Sequence, residues 1–180
     1  MNICVYGGAG ATVDPAYITA TEELGRCMAR RGHGLVFGGG ANGMMGAAAR
    51  GVAAENGTII AVVPSFFNVD GVLFDGCRER IYTDTMRERK QIMEERSDAF
   101  VMTPGGIGTL DEFFEIITLR SLNRHPKPVA ILNINGYYDT LLAFLQQAKE
   151  QQFIRADDSL FGVFDTPDAL VAYLESAAKA

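Results

Sequence analysis

The chain has 180 residues, 48% of them hydrophobic, which is enough to bury one domain-sized core. Its net charge of −6 and pI near 4.9 argue against nucleic acid as a partner, because a phosphate backbone needs a basic face. No apolar run approaches the roughly 20 residues that cross a bilayer, no charged-then-apolar leader opens the chain, and Cys4, Cys27 and Cys77 follow no metal or disulfide spacing; a cytoplasmic protein of one domain, residues 1–180, with no membrane contact is expected.

The first predicted strand, 2–6, runs into Gly7-Gly8-Ala9-Gly10. Asp14 and Pro15 pair a cap with a first-turn proline and open a helix over 15–31. A strand at 34–37 meets a second glycine turn, Gly38-Gly39-Gly40-Ala41-Asn42-Gly43, and a helix over 43–56 that closes on Asn56-Gly57. The strand at 58–63 has no polar face, as suits burial on both sides. Residues 65–76 form the longest irregular stretch, rich in Phe and Asp, suited to a lid, an entry loop or a subunit contact. After a strand at 79–82, Thr85 and Glu88 fit a capping box before a helix over 86–96. A strand at 99–102 then gives way to Pro104-Gly-Gly-Ile-Gly-Thr-Leu-Asp-Glu112 and a helix over 108–122, where Thr109 and Glu112 again fit a capping box. Asn135-Gly136 separates a strand at 128–132 from a helix over 137–151. A short strand near 160–164 and a helix over 167–178 end the chain. This alternation predicts an α/β fold: a Rossmann-like doubly wound parallel sheet flanked by helices.

In such a sheet the three glycine turns share the carboxyl edge, where ligands bind. Glycines let backbone amides approach a ligand, and the free N–H groups of a helix start favour an anion. Residues 38–43 also satisfy Gly-x-Gly-x-x-Gly, but they follow the second strand rather than the first. The next strand offers no acid for a ribose hydroxyl until Asp70, so a dinucleotide is disfavoured. On the helix over 86–96, Arg89 and Lys90 interrupt an apolar seam between Met86 and Met93. Either the two cations snorkel to solvent, or one enters the crevice. Glu112 sits within a turn of the anion seat and is a candidate for chemistry, whereas Asp111 and Glu115 read as solvated acids. His33 and His125 have no partner at metal-ligand spacing, so no metal is expected.

Three strings carry a resemblance: Gly38-Gly-Gly-Ala-Asn-Gly-Met-Met-Gly46, Met86-Arg-Glu-Arg-Lys90 and Pro104-Gly-Gly-Ile-Gly-Thr-Leu-Asp-Glu112. They resemble the LOG ("Lonely Guy") family of cytokinin riboside 5'-monophosphate phosphoribohydrolases, whose members are often labelled lysine decarboxylases. The resemblance implies hydrolysis of the N-glycosidic bond of a nucleoside 5'-monophosphate, such as a cytokinin riboside 5'-monophosphate or AMP, without a cofactor. It implies Glu112 and Arg89 as catalytic residues. Gly105, Gly106, Ile107, Gly108 and Thr109 would bind substrate phosphate, with Gly7, Gly8, Gly39, Gly40, Met86 and Lys90 nearby. It also implies a homodimer or larger homo-oligomer. A carrier of nucleotide or molybdenum cofactor on the same fold is the non-catalytic alternative. Lysine decarboxylation would need a Schiff-base lysine, and Lys90, Lys127, Lys149 and Lys179 are the four on offer.

Overall fold

The computed structural model describes residues 1–67, 72–155 and 159–179. Residues 68–71, with Asp70 and the middle of the irregular 65–76 stretch, lie outside the described residues. So do 156–158 and Ala180.

Among the described residues, seven parallel strands form one sheet: β1 (Asn2–Tyr6), β2 (Gly34–Phe37), β3 (Ile59–Pro64), β4 (Glu79–Thr83), β5 (Ala99–Met102), β6 (Val129–Leu132) and β7 (Gly162–Phe164). Their spatial order is β4-β3-β2-β1-β5-β6-β7. The chain winds outward from β1 to β4, then returns to place β5 on the other side of β1. That reversal opens a crevice above the carboxyl ends of β1 and β5. The register pairs Ile3 with Ala99 and Tyr6 with Met102, so the two strands end level. Two of the glycine turns therefore leave the sheet side by side.

Successive strand residues face opposite sides, and the sequence keeps both sides apolar. Ile3, Val5, Leu35 and Phe37 pack with Leu24 and Met28 of α1 (Pro15–Arg30), Ala48 and Val52 of α2 (Gly43–Ala54) and Leu170 and Leu174 of α6 (Pro167–Ala177). Cys4, Tyr6, Val36 and Phe100 pack with Met93 of α3 (Met86–Glu95) and with Phe113 and Ile116 of α4 (Ile107–Ser121). Leu141 and Leu142 of α5 (Asp139–Glu150) close that second core from the side.

Local side-chain caps explain the starts of α1 and α3. The Asp14 carboxylate accepts from Ala16 N at 2.8 Å beside Pro15. Thr85 Oγ1 accepts from Glu88 N at 3.1 Å, while the Glu88 carboxylate takes Asp84 N at 2.9 Å, one residue earlier than a capping box would. Two expectations need correction. The helix expected from residue 108 begins at Ile107 behind Gly106, with no side-chain cap. Thr109 and Glu112 thus lie inside α4 and do not cap it. The helix expected over 137–151 is preceded by a 3-10 turn, Ile134–Gly136, and starts at Asp139. Asn133 causes the delay, because its side-chain oxygen takes Tyr138 N at 2.8 Å and its amide donates to Asp139 at 2.8 Å.

Candidate functional site

The first and third glycine turns and the start of α2 interlock through main-chain atoms. Gly8 N donates to Pro104 O at 3.0 Å, and Met44 N donates to Gly8 O at 2.8 Å. Only a hydrogen fits at Gly105, where a Cβ would stand 2.1 Å from Thr109 Oγ1 and 2.9 Å from Gly8 N. Just past this junction, the N–H groups of Gly106, Ile107, Gly108 and Thr109 find no acceptor among the described residues. A helix start with free amides, held rigid by its neighbours, is suited to an anion.

Beside it, α3 and α4 bring Arg89 and Glu112 together. Arg89 Nη2 lies 3.4 Å from Glu112 Oε1, with side-chain exposures of 9% and 11%. That separation exceeds the ~2.8 Å of a strong charge-assisted bond, so the attraction is incomplete. Burial pushes the Glu112 carboxyl up to about 7, the nearby Arg89 charge opposes this, and Asp111 adds to it. Arg89 is itself under-satisfied. Nη1 has the Met86 thioether at 3.7 Å, and the buried Nε has no partner. A guanidinium with spare donors in a low-dielectric site is ready to take ligand oxygen atoms.

Gly38 makes room for that guanidinium, since a Cβ there would stand 1.9 Å from Arg89 Nη2. The second glycine turn therefore serves the site through its first residue. Gly39 O accepts Phe74 N at 2.9 Å, and Gly40 pairs with Leu73.

A cavity of about 400 Å³ joins these features. Of the residues singled out in the sequence, Gly7, Gly8, Met86, Arg89, Gly106, Gly108, Thr109 and Glu112 line it. Ala9, Met45, Phe67 and Asp111 complete its wall. Gly39, Gly40, Lys90, Gly105 and Ile107 lie outside this lining, and Ile107 is 85% exposed. Lys90 Nζ instead reaches Asp111 at 2.9 Å and Glu115 at 2.5 Å. Asp111 and Glu115 are therefore ion-paired rather than merely solvated. Gly38 carried a sequence signal, as it opens a glycine run directly after a strand. Met45 and Phe67 fall within marked stretches, the 38–46 string and the Phe-rich 65–76 segment, but neither is singled out there, because an apolar side chain on a cavity wall looks like any core residue.

Two larger cavities, about 510 and 940 Å³, lie elsewhere. Neither is lined by a buried ionisable side chain, so chemistry rather than volume selects the site. His33 bonds Glu175 at 2.9 Å, and buried His125 bonds Ile116 O at 3.0 Å. Among the described residues, no group of three His, Cys, Asp or Glu side chains is placed to hold a metal. Among the described residues, no helix is long and apolar enough to cross a membrane.

Residues 45–174 match a family model described as possible lysine decarboxylase. A rice (Oryza sativa subsp. japonica) protein named probable cytokinin riboside 5'-monophosphate phosphoribohydrolase is 39% identical over 153 residues. That alignment covers 85% of this chain and 62% of the rice protein. The rice cytokinin riboside 5'-monophosphate phosphoribohydrolase LOG is 38% identical over 176 residues, covering 97% of this chain and 72% of its own length. An Arabidopsis thaliana protein with the same enzyme name is 39% identical over 153 residues, covering 85% of this chain and 72% of its own. Among solved structures, a molybdenum-cofactor carrier protein from Chlamydomonas reinhardtii superposes with a TM-score of 0.74 at 25% identity, covering 99% of this chain and 98% of that one. A molybdenum cofactor binding protein from Rippkaea orientalis gives 0.72 at 24%, covering 97% and 95%.

Proposed function

Because this chain belongs to the LOG family, we propose that it hydrolyses the N-glycosidic bond of nucleoside 5'-monophosphates, releasing the free base and ribose 5-phosphate. Cytokinin riboside 5'-monophosphates and AMP are the proposed substrates. One observation carries the reading. The buried Arg89–Glu112 pair opens onto the same cavity as the unpaired amides at the start of α4.

Breaking an N-glycoside builds positive charge on the ribose as the base departs. In this proposal the 5'-phosphate sits on the amides of Gly106 to Thr109, and its binding energy fixes the sugar beneath Glu112. The Glu112 carboxylate stabilises the cationic sugar and orients or deprotonates the attacking water. Arg89 gives its spare donors to ribose or phosphate oxygens and keeps Glu112 in place. A carboxyl held near pH 7 is suited to exchanging a proton with water under neutral conditions.

The family model's description does not carry over to this cavity. A pyridoxal enzyme needs a lysine at its centre, and no lysine lines these walls. Lys90 faces Asp111 and Glu115, and Lys127 Nζ donates to Glu94 O at 2.7 Å. The carrier reading draws on the 25% identical molybdenum-cofactor carrier structure. It gives no use for a buried carboxylate beside an anion seat. Chromatography after incubation with AMP and with N6-isopentenyl-AMP separates the two readings. Free base in stoichiometric step with ribose 5-phosphate supports the hydrolase; nucleotide bound and recovered intact supports the carrier.

A further inference from the structure

Four consecutive carbonyls lead into α4, and each has a fixed donor. Thr103 O accepts Tyr138 Oη at 2.9 Å, and Pro104 O accepts Gly8 N at 3.0 Å. Gly105 O accepts Tyr137 Oη at 2.9 Å, and Gly106 O accepts Leu110 N at 3.0 Å. In a trans peptide the carbonyl and the following N–H point in opposite directions. A donor that holds a carbonyl therefore also aims the next amide.

Two of these four donors are tyrosine hydroxyls from the turn between β6 and α5, and they do different things. Tyr138 is 3% exposed, and the peptide it holds ends in the nitrogen of Pro104, which has no N–H to aim. Tyr137 is 44% exposed, and the peptide it holds carries the N–H of Gly106, on the cavity wall. The turn is built to present that phenol. Asn135 (φ 51°) and Gly136 (φ 69°) both take the left-handed conformation. Edge contacts to Tyr17, with ring centres 5.5 Å apart, and to Tyr138, at 4.7 Å, fix the Tyr137 ring.

We infer that Tyr137 is a positioning residue for the phosphate turn, its hydroxyl holding the Gly105–Gly106 peptide so that Gly106 N–H faces a bound phosphate. This rests on the reading of that turn as a sugar-phosphate site. A half-exposed phenol on one carbonyl adds little to folding, so its effect falls on the ligand.

The test measures ribose 5-phosphate binding by calorimetry, with adenosine as the phosphate-free comparison, for the wild type, Tyr137→Phe and Tyr138→Phe. Tyr137→Phe keeps the ring contacts and is expected to weaken ribose 5-phosphate by about 3- to 10-fold. Adenosine affinity and melting temperature should hold, the latter within about 2 °C, and with AMP the loss should appear in KM rather than in kcat. Tyr138→Phe is expected to lower the melting temperature while leaving ribose 5-phosphate affinity within about 2-fold. Unchanged ribose 5-phosphate affinity in Tyr137→Phe, or equal weakening of adenosine, overturns the inference. A wild type that binds ribose 5-phosphate but frees no base from AMP refutes the hydrolase and leaves this comparison intact. A wild type that binds no ribose 5-phosphate overturns the inference along with the site.

Discussion

Arg89 and Lys90 are sequence neighbours, as are Asp111 and Glu112, yet α3 and α4 send the four into two environments. Each helical residue is rotated by about 100° from the last, so one step separates the buried Glu112 from Asp111, which lines the same cavity but is 58% exposed. Arg89 and Glu112 meet at 3.4 Å with about a tenth of each side chain exposed. Lys90 meets Asp111 and Glu115 at 2.9 and 2.5 Å, with 58% and 42% of those acids exposed. The shorter contacts are thus the ones whose acids face solvent, although Lys90 itself is only 17% exposed. Short distances in water contribute little, because solvent screens them. The longer, buried contact leaves donors unspent and a carboxyl pushed up to about 7. Incomplete pairing out of water distinguishes the proposed catalytic pair from the ion-paired grouping beside it.

The largest expected effect breaks the buried side of that comparison. Glu112→Gln keeps the shape and removes the negative charge, so release of adenine from AMP should fall at least about 10³-fold. Ribose 5-phosphate should still bind, which calorimetry on the same sample would check. Turnover within a few-fold of wild type would remove Glu112 from the reaction. The variant should also separate stability from activity. With its carboxyl at about 7 instead of the ordinary 4.5, the folded protein binds more protons than the unfolded chain between those values. Stability therefore falls as pH rises through that window, and the cost above pH 7 is about 3 kcal/mol. Glu112→Gln removes it, so the ligand-free variant should melt higher than wild type at pH 8 and alongside it below pH 4.5.

The same carboxyl sets the next effect. If the ionised form reacts, kcat/KM should rise about tenfold per pH unit up to about 7 and level off above it. Below about pH 6 the substrate phosphate also gains a proton, steepening the fall. A profile flat from pH 5.5 to 8 would show that Glu112 titrates elsewhere or does not react as the anion.

Gly38→Ala sharpens the comparison without replacing either charged residue. The added methyl would stand 1.9 Å from Arg89 Nη2, so the guanidinium must shift while its charge remains. Displacement of a catalytic group by about 1 Å costs on the order of 10²-fold, and turnover should drop by about 10- to 100-fold with circular dichroism unchanged. Full activity would mean that the pair tolerates movement, and that proximity of charge suffices.

Much of this was legible beforehand, and the exceptions have a common cause. The strands at 2–6, 34–37 and 99–102 have the predicted bounds, because short, mostly apolar runs that stop at a glycine or proline turn allow few alternatives. Glu112 stood out because its glycine string asks for more than a cap. Periodicity alone could not separate Arg89 from Lys90, since that needs the phase of α3 against the sheet; only the resemblance singled out Arg89. Asp111 and Glu115 read as solvated because their partner sits 21 and 25 residues away in the chain. Phe67, Met45 and Tyr137 fall in stretches the sequence marks without giving them individual roles, because the crevice that places them exists only once β5 lies beside β1.

The smallest effect belongs to the exposed grouping. Lys90→Ala removes both contacts to Asp111 and Glu115, and those acids raise the affinity of the Lys90 ammonium for its proton against partial desolvation. Pairs whose acids face solvent in this way stabilise by about 1 kcal/mol or less. Salt weakens them further, so the melting temperature of wild type and variant should converge as ionic strength rises. Lys90 lies outside the cavity wall, so base release should stay within about 3-fold of wild type, less than the ~1 kcal/mol that one ion pair with solvent-facing acids supplies. The resemblance instead places Lys90 beside the phosphate, and the two placements differ in one observable. A 100-fold rise in KM for AMP, with ribose 5-phosphate weakened in proportion, would mean that the ammonium leaves Asp111 and Glu115 when a dianion arrives. The division between the two pairs would then hold only for the empty site.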